Sequence, residues 1–126
     1  MVHDAARPLL TATALERIVT NSHPQGAILA IPARDTVKRQ TDSGRVQGTL
    51  DRNHIWLAQT PQKFPADALY EALQKARQQG IEITDECSAM EFIGWNPDLV
   101  VGESSNIKVT LPEDLLIADA LFSQLH

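Results

Sequence analysis

Cysteine is nearly absent from this chain. Of 126 residues only Cys87 is a cysteine, so no internal disulfide can form, and no Cys/His cluster has the spacing of a zinc site. Long apolar runs are missing too. The longest, Ala27 to Pro32, falls far short of the roughly 20 residues that cross a bilayer as a helix. The first residues also lack the charged-then-apolar pattern of a secretory signal. Positive charge is in deficit, with 11 Lys and Arg against 16 Asp and Glu and a net charge of -5. Nucleic acid and anionic membrane surfaces bind clustered positive fields, so neither is expected as a partner. Low-complexity tracts and internal repeats are lacking. The expectation is a soluble, cytoplasmic domain whose local basic groups remain able to bind a small phosphate.

What is present suits one folded domain, because 43% apolar residues supply a core at ordinary domain length. Thr13-Ala14-Leu15-Glu16 has capping-box spacing, and Leu15, Ile18 and Val19 follow at helical intervals. A helix over about 14–21 is predicted, ended by His23-Pro24-Gln25-Gly26. Ala27 to Ile31 is an apolar run between breakers, as in a central parallel strand covered on both faces. Thr36 to Gln40 and Val46 to Leu50 flank the turn chemistry of Thr41-Asp42-Ser43-Gly44-Arg45 and read as a polar β-hairpin. A two-stranded hairpin is marginal in water, so this arm needs something to lie against, and a second subunit is the natural candidate.

Farther along, Leu69, Ala72, Leu73 and Ala76 mark one face of a helix over 66–79, closed by Gly80. Ile81 and Ile83 are expected to be buried. Thr84 or Asp85 caps a second helix with Ala89, Met90 and Ile93 inward, stopped by Gly94. Leu99 to Val101 and Ile107 to Val109 read as short strands. A capping box at Thr110-Leu111-Pro112-Glu113 opens a terminal helix with Leu115, Ala118, Leu121, Phe122 and Leu125 as its apolar stripe. Strand and helix alternate, so the class is α/β with the arm as an insertion.

The opening Val2-His3-Asp4-Ala5-Ala6-Arg7-Pro8 reads as a strand that ends in a carboxylate, with a guanidinium three residues on. Such a pair is delivered to the carboxyl end of a strand, where α/β sheets bind phosphorylated ligands. Further polar motifs follow: Arg34 to Arg39, Asp51-Arg52-Asn53, Gln59-Thr60-Pro61-Gln62, Ile83-Thr84-Asp85-Glu86, and Asn106-Ile107-Lys108-Val109-Thr110. Thr-Pro-Gln or Asn-Ile-Lys alone arises by chance. Taken in order along nearly the whole chain, the set resembles the 2-C-methyl-D-erythritol 4-phosphate cytidylyltransferase family of the non-mevalonate isoprenoid pathway.

That resemblance implies a partial Rossmann-like nucleotidyltransferase fold, a mixed and mainly parallel sheet with flanking helices and a dimerisation arm at about 34–52. It implies transfer of a cytidylyl group from CTP to methylerythritol phosphate, releasing pyrophosphate, with Mg2+ and a homodimer. Arg52 and Lys108 match the family positions that hold methylerythritol phosphate for attack, a bidentate fork and a compact point charge. Thr36, Thr60 and Thr84 match hydroxyl donors around the same substrate. Asp4 and Arg7 match a pair that contacts substrate, with Asp4 the candidate metal ligand. Thr36 and Arg52 sit on or beside the arm, so the site is expected to be shared across a dimer.

The family pattern begins with a glycine-rich loop that cradles the triphosphate, and the loops around Gly26, Gly44, Gly80 and Gly102 lack its Gly-x-Gly spacing. Residues 1–126 are therefore expected to be the carboxyl-terminal part of a single cytidylyltransferase domain. The amino-terminal CTP-binding part is expected to be missing from them, and the isolated chain is expected to be inactive with an apolar face left open.

Five of these site residues also have a structural reading. Asp4 before Ala5-Ala6 serves as a turn or helix cap, Arg52 pairs with Asp51 in solvent, and Lys108 points to solvent from a strand. Thr84 acts as an N-cap and Thr60 shapes a turn. His3 reads as packed or backbone-bonded rather than as a general base, since a phosphate nucleophile needs no deprotonation at neutral pH. Cys87 reads as a small buried hydrophobe. Two alternative functions stay open: a cytidylyltransferase for another polyol phosphate such as ribitol 5-phosphate, and a non-catalytic remnant that dimerises through the arm.

Overall fold

Along the chain the elements are α1 (Ala12–Thr20), β1 (Ala27–Pro32), β2 (Val37–Gln40), β3 (Val46–Leu50), β4 (Trp56–Lys63), α2 (Ala66–Gln78), α3 (Glu86–Phe92), β5 (Asp98–Val101) and α4 (Pro112–Leu125). The computed structural model describes all 126 residues. The apolar run β1 is the middle strand of a three-stranded sheet ordered β4-β1-β5. It is parallel to β5 and antiparallel to β4, so the sheet is mixed, and the parallel environment expected for β1 holds on one side only.

Successive side chains of β1 point to opposite faces, as the strand period requires. Ile28 and Ala30 join Phe64, Ala72, Cys87, Ala89 and Met90 under α2 and α3. Ala27 and Leu29 join Ala14 and Ile18 under α1. Both faces of β1 are thus covered, and each large side chain buried there contributes about 1.5–3 kcal/mol. Gly26 leads into the strand at φ +89°, and a Cβ there would lie 2.3 Å from the Lys63 carbonyl oxygen and 2.5 Å from Phe64 Cδ1. Only glycine combines that conformation with that approach.

Several local expectations shift. The cap of α1 is Thr11 rather than Thr13: Thr11 Oγ1 accepts from the Ala14 N–H at 3.1 Å and donates to Glu103 Oε1 at 2.5 Å. Strand β4 runs through Thr60-Pro61-Gln62, where the sequence suggested a turn. Proline is tolerated because β4 is an edge strand with no full partner beyond β1. Val2 forms only a bridge to Gln62, exchanging hydrogen bonds of 2.8 and 2.9 Å, and not the strand expected there. Residues 107–109 form no strand, although the Val109 N–H donates to the Ala6 carbonyl at 2.8 Å.

Ile81, expected inside, is 43% exposed. Asp85, not Thr84, caps α3, and reciprocal bonds with Ser88 complete a capping box. At the start of α4, Asp114 takes the place expected of Glu113 by accepting from the Thr110 and Leu111 N–H groups at 3.0 and 2.8 Å. Helix α4 buries little of its apolar stripe: Ala118 is buried, whereas Leu115 and Leu116 are 62% and 75% exposed.

The hairpin forms as expected. Strands β2 and β3 pair antiparallel as a separate two-stranded sheet, with Val37 opposite Leu50. Its side chains are almost all exposed, and Lys38 Nζ donates across it to Thr49 Oγ1 at 2.6 Å.

Candidate functional site

A cleft of about 650 Å³ opens where the amino-terminal segment, β4, the start of α3 and the loop before α4 meet. Asp4, Arg7, Thr60, Thr84 and Lys108 line it, together with His3, Asp85 and Glu86. Five of the seven residues singled out from sequence therefore share one cavity. Thr36 and Arg52 do not line it. Arg52 sits at the base of the arm, where its Nη1 donates to the Arg34 carbonyl at 2.5 Å, and it is not paired with Asp51. Thr36 is exposed just ahead of β2.

The amino-terminal segment is folded around Asp4. Its Oδ1 accepts from the Ala6 N–H at 2.9 Å, its carbonyl accepts from the Arg7 N–H at 3.0 Å, and its own N–H donates to Thr60 Oγ1 at 2.9 Å. Local side-chain to backbone bonding of this kind suits a short carboxylate. Asp4 Oδ2 lies 3.2 Å from Lys108 Nζ, so Lys108 turns into the cleft rather than out to solvent. The Ala6 N–H, and then Lys108, hold the Asp4 carboxyl below its ordinary range. Arg7 is lowered by burial, opposed by Asp4.

Beneath the cleft lie three buried amides, present in the polar motifs but given no role by sequence alone. Asn106 Nδ2 donates to the Thr60 carbonyl at 2.9 Å and to Gln59 Oε1 at 3.3 Å. Gln59 Nε2 donates to the Glu103 carbonyl at 3.0 Å. Gln62 Nε2 donates to Asp85 Oδ2 at 2.9 Å, while its Oε1 accepts from the Cys87 N–H at the same distance. Gly102 makes room for this layer, since a Cβ there would stand 2.4 Å from Gln59 Oε1. The amides tie β4 to α3 on one side and to the Lys108 loop on the other. The available signal was two glutamines spaced three apart on either side of Thr60-Pro61, since an amide that ends up buried is retained only if it is bonded.

Permanent charge in the cleft is unbalanced. The lining residues include the carboxylates Asp4, Asp85 and Glu86 and the cations Arg7 and Lys108. Asp85 spends both oxygens on Ser88 and Gln62. Nowhere does a group of three or more His, Cys, Asp or Glu side chains gather in a metal-holding arrangement, so Asp4 offers a cation a single carboxylate.

The fold recurs in known proteins. The family model described as 2-C-methyl-D-erythritol 4-phosphate cytidylyltransferase matches residues 1–124. This chain belongs to that family. A relative of that name from Mannheimia succiniciproducens is 52% identical over 124 residues, 98% of this chain and 54% of the relative. The Pseudomonas aeruginosa relative is 52% identical over 118 residues, 92% of this chain and 50% of its own length. Among solved family structures, one of 4-diphosphocytidyl-2C-methyl-D-erythritol synthase superposes with a TM-score of 0.83 at 43% identity, covering 97% of this chain and 54% of that one. That of the Thermus thermophilus cytidylyltransferase gives 0.82 at 34% identity, covering 95% and 59%. The chain thus spans about half the length of the curated relatives it matches. The α/β fold with a mixed sheet and flanking helices is the family's fold.

Proposed function

We propose that this chain carries the methylerythritol phosphate side of a cytidylyltransferase that moves a cytidylyl group from CTP to 2-C-methyl-D-erythritol 4-phosphate and releases pyrophosphate. The observation that carries the reading is the convergence of Asp4, Arg7, Thr60, Thr84 and Lys108 in one cleft of a chain belonging to this family. In the reaction a phosphate oxygen of the acceptor attacks the α-phosphorus of CTP in line, and two anions must be held together. The protein's task is positioning and charge neutralisation. Arg7 and Lys108 supply cations; the threonines supply short polar contacts.

Two cations facing three carboxylates do not neutralise a phosphate dianion, so further positive charge is needed. Arg52 is the exposed guanidinium best suited to supply it, from a second copy whose arm reaches into this cleft with Thr36. A homodimer through residues 34–52 follows from that reading. Magnesium is the other source of charge: Asp4 would hold it, with phosphate oxygens and water as the remaining ligands, the usual habit of this hard cation. When bound, the ion would neutralise charge on the reacting phosphates.

No Gly-x-Gly phosphate loop occurs among these residues, and turnover by the chain alone is not expected. A cytoplasmic address accords with a single buried thiol. No helix is long and apolar enough to cross a membrane.

The test is pyrophosphate release from CTP, Mg2+ and methylerythritol phosphate, with the chain alone and with the amino-terminal half of a family member added in trans. Activity that needs the added half supports the reading. No activity in either case, from a folded dimer, favours a non-catalytic remnant, and a preference for ribitol 5-phosphate would reassign the acceptor.

A further inference from the structure

The His3 imidazole lines the cleft with both ring nitrogens engaged. Nε2 lies 3.0 Å from the Arg7 carbonyl oxygen and Nδ1 lies 3.0 Å from Thr60 Oγ1. A carbonyl oxygen has no proton to give, so Nε2 carries the hydrogen and donates it. A neutral imidazole has only one N–H, which leaves Nδ1 as a bare lone pair. The proton between Nδ1 and Thr60 is therefore the threonine's own.

Thr60 Oγ1 also accepts from the Asp4 N–H at 2.9 Å. A hydroxyl has one proton and two lone pairs. In this arrangement the proton goes to His3 and one lone pair to Asp4, so a single lone pair remains for the cleft. We infer that His3 is a positioning residue that fixes Thr60 as an acceptor, so that Thr60 reads a hydroxyl of the substrate rather than donating to its phosphate.

The inference deepens, and rests on, the proposal that the cleft takes a polyol phosphate. It changes the role expected of Thr60 from its family position, that of a hydroxyl donor. The division of labour is chemically consistent. A phosphate dianion offers acceptors only and is served by Arg7 and Lys108, whereas a polyol hydroxyl has a proton that needs an acceptor. His3 is exposed, so its replacement can be read at the site without a large loss of fold.

The experiment uses the full 126-residue chain and two probes, 2-C-methyl-D-erythritol 4-phosphate and inorganic phosphate, by calorimetry. His3→Phe, which removes the acceptor nitrogen, should lower the preference for the polyol phosphate over phosphate about tenfold, roughly the worth of one neutral hydrogen bond, with phosphate affinity kept. His3→Asn returns an acceptor oxygen near the Nδ1 position and should restore most of the preference. Nitrogen-15 shifts of the ring at about pH 8.5, above the ordinary imidazole range, should show protonation at Nε2 and a free Nδ1.

Equal loss of both probes in His3→Phe, failure of His3→Asn to rescue, or a proton on Nδ1 would each overturn the inference while leaving the polyol phosphate reading in place. A wild-type chain that binds neither probe overturns that reading, and hydroxyl recognition by Thr60 with it, whatever the ring tautomer.

Discussion

Arg7 reaches across 99 positions of sequence to donate through Nη1 to the Asn106 carbonyl at 2.7 Å. That bond joins the amino-terminal motif to the loop carrying Lys108, two segments that no element of secondary structure connects. The Asn106 side chain meanwhile bonds β4. One buried residue therefore sets the relative positions of Arg7, Thr60 and Lys108.

Replacing Asn106 with alanine should be costly for that reason. The side chain is 1% exposed, and its loss strands the Thr60 carbonyl and Gln59 Oε1 without the donor they share. Leaving buried acceptors unpaired costs about 1–3 kcal/mol. Urea unfolding of Asn106→Ala should show a lower midpoint at unchanged slope; an unchanged midpoint would mean that the amide layer does not hold the loop.

Lys108→Gln should behave in the opposite way. Its ion pair with Asp4 is half exposed, and exposed pairs add little to stability, so the thermal midpoint should stay where it is. Affinity for methylerythritol phosphate should fall on the order of tenfold or more, as expected for a lost charge-assisted bond. A variant that binds as well as the parent would remove Lys108 from the site.

Cys87 sets an alkaline limit. Burial first, then Glu91 and Asp85, push its thiol up to about 12. A pKa raised on folding means that the stabilising contribution is complete below the unfolded thiol value of about 8.5 and is lost as pH rises toward the folded value. Chemical denaturation should show stability declining above that lower value, with Cys87→Ala lacking this part of the decline. The native thiol should also alkylate slowly at pH ~8, because the thiolate is the reactive form.

Helix α4 should make the isolated chain prone to self-association. Leu115, Leu116, Ile117 and Phe122 are at least half exposed, and large apolar side chains left in water are the kind that mediate contact or aggregation. Leu116→Lys, at a position 75% exposed, should lower concentration-dependent light scattering while leaving the unfolding midpoint nearly unchanged. Scattering that persists in the variant would move the sticky surface to the open edges of the sheet.

Much of this protein was settled by local sequence. Breakers on either side of Ala27 to Ile31 marked the central strand, Asp, Ser and Gly at 42–44 marked the hairpin turn, and helical apolar spacing with Gly80 and Gly94 bounded α2 and α3. These signals work because a turn, a cap or a strand face is chosen by residues within a few positions of one another. The motif order likewise carried the family. Tertiary structure alone decided the rest. Pro61 concealed β4 because edge position, which excuses a proline, depends on which strands lie alongside. Asn106, Gln59 and Gln62 became a buried layer only when β4 met α3 and the Lys108 loop. Thr36 and Arg52, close in sequence to the other motifs, stand apart from the cleft because the arm carries them outward. The bonds that build the cleft link residues 56 and 99 positions apart, and packing, not local propensity, determines which distant polar groups meet once water is excluded.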